Sequence, residues 1–233
     1  MKTRTIKNHA VLIAATCGIA NIAHAGTFQP ITIDGDFSDW AGVPLAYTAL
    51  EGPSDAIQYD DVYVANDADN LYIRFTLYSA SPDAFANSLD NLFIDTDNNS
   101  TTGFSTGGIG SEALVEWGSG YQEKNGGFNE GGINGLGWQI AGSPDSMDFE
   151  LAISRNATYA SDGSPVFTGN TISILLEGDD SSYDSVEFAP SSGGIVYTFA
   201  SVPEPATFTV AGLGLLLLMG RFLFLRRNSG VNG

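Results

Sequence analysis

Beyond its first 25 residues the chain contains neither cysteine nor histidine: Cys17, His9 and His24 all lie in that leading segment. The absence excludes disulfide staples, zinc sites built on Cys or His, and nucleophilic catalysis of the Ser-His-Asp or Cys-His kind. Stability must therefore come from burial. Positive charge is almost as scarce. Of 27 acidic residues only Glu204 lies outside Gly26 to Ser201, a stretch whose basic residues are Arg74, Lys124 and Arg155, so its formal charge is −23. Such a field repels nucleic acid and anionic lipid; it suits neutral partners, divalent cations or simple solubility after export. No long helical pattern falls between the two ends, which leaves no helix to cover a sheet.

The ends themselves read as addresses. Lys2, Arg4 and Lys7 precede the apolar stretch Ala10 to Ala20 and then Ala23-His24-Ala25. That is the charged, apolar, small-residue order of a secretory signal, with cleavage expected after Ala25 (segment 1–25). The apolar run is too short to span a hydrocarbon core of ~30 Å. At the other end, Pro203-Glu204-Pro205 is followed by an apolar run to Leu225, interrupted by Arg221, and then by Arg226-Arg227. A helix from Ala206 to Leu225 would be about 30 Å long and would cross a bilayer, its terminal arginines on the cytoplasmic side.

Pro203, Glu204, Pro205, the single apolar helix and the basic pair Arg226 and Arg227 together resemble the PEP-CTERM signal. The resemblance covers about the last thirty residues (segment 202–233). It implies an exosortase as processing partner, transient residence in the inner membrane, and delivery to the cell surface or extracellular matrix of an exopolysaccharide-producing bacterium. A plain single-span anchor shares the helix and basic end but has no need of the Pro-Glu-Pro tripeptide.

The intervening segment, 26–201, is one domain's worth of chain. Its apolar residues alternate with the period of a strand: Leu71, Ile73, Phe75 and Leu77 oppose Tyr72, Arg74, Thr76 and Tyr78. The same alternation predicts strands at Ala113 to Trp117 and Phe149 to Ser154, with further strands at Val62–Ala65, Leu92–Ile94, Ile172–Leu176 and Ile195–Phe199. Asn, Asp, Ser and Pro supply the turns between them. The expected fold is all-β, an antiparallel β-sandwich. The glycine-rich stretches Gly103 to Gly110 and Gly126 to Gly137 read as irregular loops, either mobile surface or a binding rim.

Three segments, Ile33 to Trp40, Asp61 to Ile73 and Asn91 to Asp97, are similar to family 9 carbohydrate-binding modules. That resemblance implies a non-catalytic sandwich that holds sugar on aromatic faces and carries structural calcium. Bottom-up, flat aromatic faces beside polar groups suit neutral sugar rings. Trp40 reads as a core plug. Trp117 shares a predicted strand face with Ala113 and Val115 but stands at the strand end; Trp138 follows a glycine-rich loop. Trp117, Trp138 and Tyr121 are the expected sugar contacts.

The segment from Asp95 to Thr101 places Asp95, Asp97, Asn99 and Thr101 at the one-three-five-seven spacing that can wrap calcium. It is not an EF-hand, since Ser100 and Thr106 occupy the sixth and twelfth positions. An Asx-rich turn has the same composition. A structural matrix protein and a glycosidase are the rival functions. For the latter, Glu112 and Glu116 would lie ~13 Å apart on a strand, too far, whereas Asp148 and Glu150 would lie ~7 Å apart, inside the range of paired catalytic carboxylates.

Overall fold

The computed structural model describes residues 24–52, 54–82, 90–180 and 185–202. The segment up to Ala23, expected to be a secretory signal, and the tail from Pro203, with its Pro-Glu-Pro motif, apolar run and arginine pair, lie outside the described residues. Among the described residues no helix is long and apolar enough to cross a membrane.

In chain order the strands are β1 (His24–Ala25), β2 (Leu45–Thr48), β3 (Tyr59–Asn66), β4 (Asn70–Leu77), β5 (Asp90–Asp95) and β6 (Phe104–Thr106). They continue with β7 (Ile109–Ser111), β8 (Ala113–Glu116), β9 (Ser119–Gln122), β10 (Gly131–Asn134) and β11 (Gln139–Gly142). The last are β12 (Asp148–Ser154), β13 (Thr158–Tyr159), β14 (Thr171–Asp179), β15 (Val186–Ala189) and β16 (Ile195–Thr198). One 3-10 turn, Phe37–Trp40, is capped by Asp36, whose side chain accepts from the Ser38 amide.

The larger sheet runs β1-β16-β14-β5-β8-β9-β10-β13, with β15 also on β14; the smaller runs β11-β12-β4-β3-β2, and β6-β7 is a separate hairpin. Only the β1–β16 pairing among these ladders is parallel. The two sheets face each other across one core. Leu71, Ile73, Phe75, Leu151 and Ile153 of the smaller sheet meet Leu92, Ile94, Val115, Ile172 and Ile174 of the larger. The alternation in the sequence thus does select the inward face.

The outer faces are covered too. Trp40, Ile31 and Val43 from the entry segment pack on Ala65, Tyr72 and Ala152 outside the smaller sheet. Phe93, Leu114 and Leu175 pack with Ile109 outside the larger one. This second layer is why β5 and β14 are apolar on both faces.

Two sequence expectations need correcting. Gly103 to Gly110 and Gly126 to Gly137 are not wholly irregular: the first holds the β6–β7 hairpin and the second holds β10. A Cβ on Gly103 would overlap the Ser111 carbonyl oxygen, and one on Gly110 the Thr102 carbonyl oxygen. Glycine here permits close backbone packing inside a paired segment.

The ends of the domain are tied together by Asn66, which is fully buried. Its Oδ1 accepts from Tyr197 Oη and the Ala200 amide, both at 2.8 Å, and its Nδ2 donates to the Ala200 carbonyl at 3.0 Å. Its main chain exchanges bonds with Thr27 and Gln29. Chain entry and chain exit therefore share one end of the sandwich.

Candidate binding site and metal centre

Trp117 is where the sequence reading and the structure differ most usefully. Strand β8 stops at Glu116, which pairs with Ser119, so Trp117 and Gly118 are the two central residues of a tight hairpin turn. Their φ angles are 53° and 73°. A two-residue hairpin turn of this hand needs φ > 0 at both positions and favours Asn, Asp or Gly. The strand predicted to run on through Trp117 is thus corrected: it ends at Glu116, and the indole is 51 % exposed at the hairpin tip. A bulky aromatic in the left-handed region costs on the order of 1 kcal/mol or more, and such strain concentrates at ligand sites.

A Cβ built on Gly118 would stand 3.0 Å from Nε1 of Trp138, so the second indole lies directly against this turn. Trp138 is half-buried on the main core. Tyr121 does not join them. It pairs with Leu114 and packs in the outer cluster with Phe93, on the other face of the hairpin.

Phe128, which the sequence reading passed over, is 47 % exposed on a loop joined to the same hairpin by the Asn129 Nδ2 to Glu116 Oε2 bond of 3.0 Å. Nothing in its local pattern marks it. Its place depends on the β9–β10 pairing. By register, Glu116 lies opposite Asn91 and Asn91 opposite Glu177, while Thr198 lies opposite Thr171. Six residues of β14 separate those rungs, about 20 Å of strand. The Trp117 tip is thus at the other end of the strands from the chain exit.

The acidic segment behaves differently from its linear reading. Carboxylate oxygens of Asp95, Asp97 and Glu112 all lie within 4.8 Å of one another. Asp95 and Glu112 are buried and Asp97 is exposed. Glu112 was absent from the spacing argument because it sits across the ladder: Ile94 pairs with Ala113, which places Asp95 and Glu112 on consecutive positions. Glu112 Oε2 accepts from the Thr96 amide at 2.8 Å, whereas its buried Oε1 has no partner. Burial pushes both the Asp95 and the Glu112 carboxyl above the usual range, opposed by the amides that donate to them.

Asn99 and Thr101 are occupied locally. The Asn99 amide donates to Asp95 Oδ1 at 2.9 Å and Asp97 Oδ1 at 3.0 Å, and Asn99 Oδ1 accepts from the Thr101 hydroxyl at 2.8 Å. The Asx-turn bonds and the three-carboxylate cluster are therefore both present. An oxygen-only donor set suits a hard cation.

The carboxylate pair offered for glycoside hydrolysis is engaged in structural contacts. Asp148 does begin β12, but it takes Arg74 in a two-bond ion pair, Nε at 3.0 Å and an Nη at 2.6 Å. Glu150 is fully buried. Its Oε1 accepts from the Asp34 and Gly35 amides at 3.0 and 2.7 Å, and its Oε2 from Trp40 Nε1 at 2.8 Å.

No family model matches the chain, and no curated protein matches it in sequence. Among solved structures it is similar to a family 9 carbohydrate-binding module from Caldicellulosiruptor kristjanssonii in complex with cellotriose. The TM-score is 0.44 at 14% identity, over 78% of this chain and 95% of that one. A family 9 module from the same organism in complex with glucose gives a TM-score of 0.45 at 11% identity, over 78% and 98%.

Proposed function

We propose that the chain is an exported, non-catalytic carbohydrate-binding protein of the cell surface or extracellular matrix, with Trp117 and Trp138 as its sugar platform. The observation that carries this reading is the exposed Trp117, held in a strained left-handed turn where asparagine or glycine would be more stable. A protein gains nothing in stability from that choice, so the indole's use lies outside the fold. Pyranose rings present apolar CH faces that stack on indole, and the −23 field favours a neutral glycan over a charged one.

The test is a glycan-binding screen of the purified protein beside Trp117→Asn, which creates the favoured Asn-Gly turn. Affinity for the selected sugar should fall at least tenfold while stability stays level or rises by about 1 kcal/mol. Unchanged affinity, or no repeatable sugar preference at all, would instead favour a structural matrix role.

Export and sorting complete the reading. Cleavage after Ala25 would remove strand β1 and leave Gly26 beside the Thr198 and Ala200 backbone. An exosortase acting at Pro203-Glu204-Pro205 would then release or transfer a domain whose binding tip is at the far end from the cut, suited to exopolysaccharide held beyond the membrane. Replacing Pro203, Glu204 and Pro205 together by alanine should leave the carboxy-terminal tail on the exported product, read as its intact mass. A mature mass identical to that of the unaltered protein would sink the sorting reading.

The Asp95, Asp97 and Glu112 cluster is read as a calcium site. It rests on the unpartnered Glu112 Oε1 and on three carboxylates that, among the described residues, no basic side chain pairs with.

A further inference from the structure

One rung of the larger sheet crosses its outer face with acceptors and no cation. Ser119, Glu116, Asn91, Glu177 and Phe188 lie opposite one another in turn on β9, β8, β5, β14 and β15. Alternation puts Glu116, Asn91 and Glu177 on the face of Leu114, Phe93 and Leu175, two residues away along each strand.

Asn91 stands between the two carboxylates. Its Nδ2 donates to Glu177 Oε1 at 2.7 Å, yet its Oδ1 is buried without a partner in a residue only 8 % exposed. Across the rung, Glu116 is held in place, its Oε2 accepting from Asn129 Nδ2 at 3.0 Å. Turning the Asn91 amide over would bring its donor to Glu116 and its oxygen to Glu177, so either orientation leaves one oxygen facing an acceptor.

The charge around the rung is equally one-sided. Asp179 follows Glu177 on the same face, and burial, then Asp180 and Glu116, push its carboxyl up to about 6. Burial pushes Glu177 up as well, opposed by the bond from Asn91 and reinforced by Asp179 and Glu116. Glu116 also adds to the field at the fully buried Glu123. Among the described residues no basic side chain offsets this: Arg74 pairs with Asp148, Lys124 with Asp162, and Arg155 donates to the Asp67 carbonyl.

The partner that fits is a cation that brings its own hydrogens. Glu116 and Glu177 stand two strands apart, about 10 Å between backbones, and their carboxylates do not converge as those of Asp95, Asp97 and Glu112 do. Spread acceptors with an amide oxygen between them suit an ammonium group, with three donors and one charge, better than a chelated metal ion. A sugar hydroxyl supplies one donor and no charge.

We propose that Glu116, Asn91 and Glu177 form a recognition site for the protonated primary amine of an amino sugar, beside the Trp117 platform. Trp117 follows Glu116 directly, so a glycan stacked on the indole has neighbouring units within reach of this row. The inference rests on the sugar reading for the carrier of the amine and not for the place that takes it. The acidic field that turns away an anionic glycan attracts an otherwise neutral one with scattered free amines.

Isothermal titration of the full-length chain in detergent solution, at about pH 6 where such amines are protonated, compares glucosamine tetramer, N-acetylglucosamine tetramer and propylamine. The glucosamine tetramer should bind about tenfold more tightly than its acetylated counterpart, the effect of one charge-assisted hydrogen bond. Glu177→Gln, which keeps an acceptor for Asn91 Nδ2, and Asn91→Ala should each remove that preference, with circular dichroism confirming that both fold. Equal affinity for the two tetramers, including none for either, would overturn the proposal. So would a preference that both variants keep, which marks attraction by overall charge, or propylamine that binds as tightly as the glucosamine tetramer, which marks a site for amines at large. Trp117→Asn separates this site from the platform. If the tetramers bind equally and Trp117→Asn weakens both, the platform stands and this site falls. A glucosamine preference that disappears in Glu177→Gln, with both affinities unchanged in Trp117→Asn, upholds this site and removes the platform.

Discussion

Replacing Glu150 by alanine should destabilise the fold by roughly 3–5 kcal/mol, among the largest effects of any single side chain in the domain. Three donors lose their acceptor at once: the Asp34 and Gly35 amides and Trp40 Nε1. Each buried donor left unmade costs about 1–3 kcal/mol. The loss also spreads, because those donors belong to the entry segment that covers the outer face of the smaller sheet with Ile31, Trp40 and Val43. Trp40→Phe keeps most of the apolar burial and removes one donor, so it should cost about 1–2 kcal/mol. Urea unfolding of both variants against the unaltered protein measures the difference. A cost below 1 kcal/mol for Glu150→Ala would mean that the entry segment contributes little to stability. The same substitution should leave affinity for glycan unchanged in the folded fraction, since no Glu150 bond reaches Trp117 or Trp138.

What could be read from the sequence depended on whether the information was local. The inward faces of β4 and β12 follow from strict alternation, and their register in the smaller sheet agrees with it. Trp40 as a core plug also followed from its surroundings, although its indole bond to Glu150 did not. The glycine-rich strands were hidden because their pairing is favoured by close backbone approach and carries no apolar side-chain signal. The predicted strand reaches Trp117 because alternation carries one residue beyond its true end at Glu116. Only the Glu116–Ser119 pairing shows that the turn has begun.

The cation cluster was half legible for the same reason. Asp95 and Asp97 are neighbours in sequence, but Glu112 reaches them across a ladder whose register no linear spacing encodes. Glu123 is a stronger case: a lone acid in a run of polar and glycine residues gives no sign that it is fully buried.

Calcium at the Asp95, Asp97 and Glu112 cluster should raise the melting temperature by roughly 5–10 °C at a hundredfold excess over its dissociation constant, which corresponds to about 2.7 kcal/mol for one site that binds only the folded state. Glu112→Gln tests this cluster, because its amide oxygen can still accept from the Thr96 amide while the charge that meets the ion is gone. That variant should lose the part of the shift due to this cluster, as should Asp95→Ala and Asp97→Ala. The effect must also depend on pH, with a definite sign. Burial raises the Asp95 and Glu112 pKa above their unfolded values, so without the ion the folded state binds protons more tightly than the unfolded chain. Their contribution is fully present below the ordinary carboxylate range and is lost as pH rises through the raised values. Bound calcium holds both groups ionised and removes that loss. The calcium-induced shift should therefore be larger at pH 8 than at pH 5, measured by thermal melting in chelator and in millimolar calcium. A shift of equal size at both pH values would separate the stabilising ion from these carboxylates, and a melting temperature indifferent to calcium would leave the Asp95 segment as an Asx turn alone.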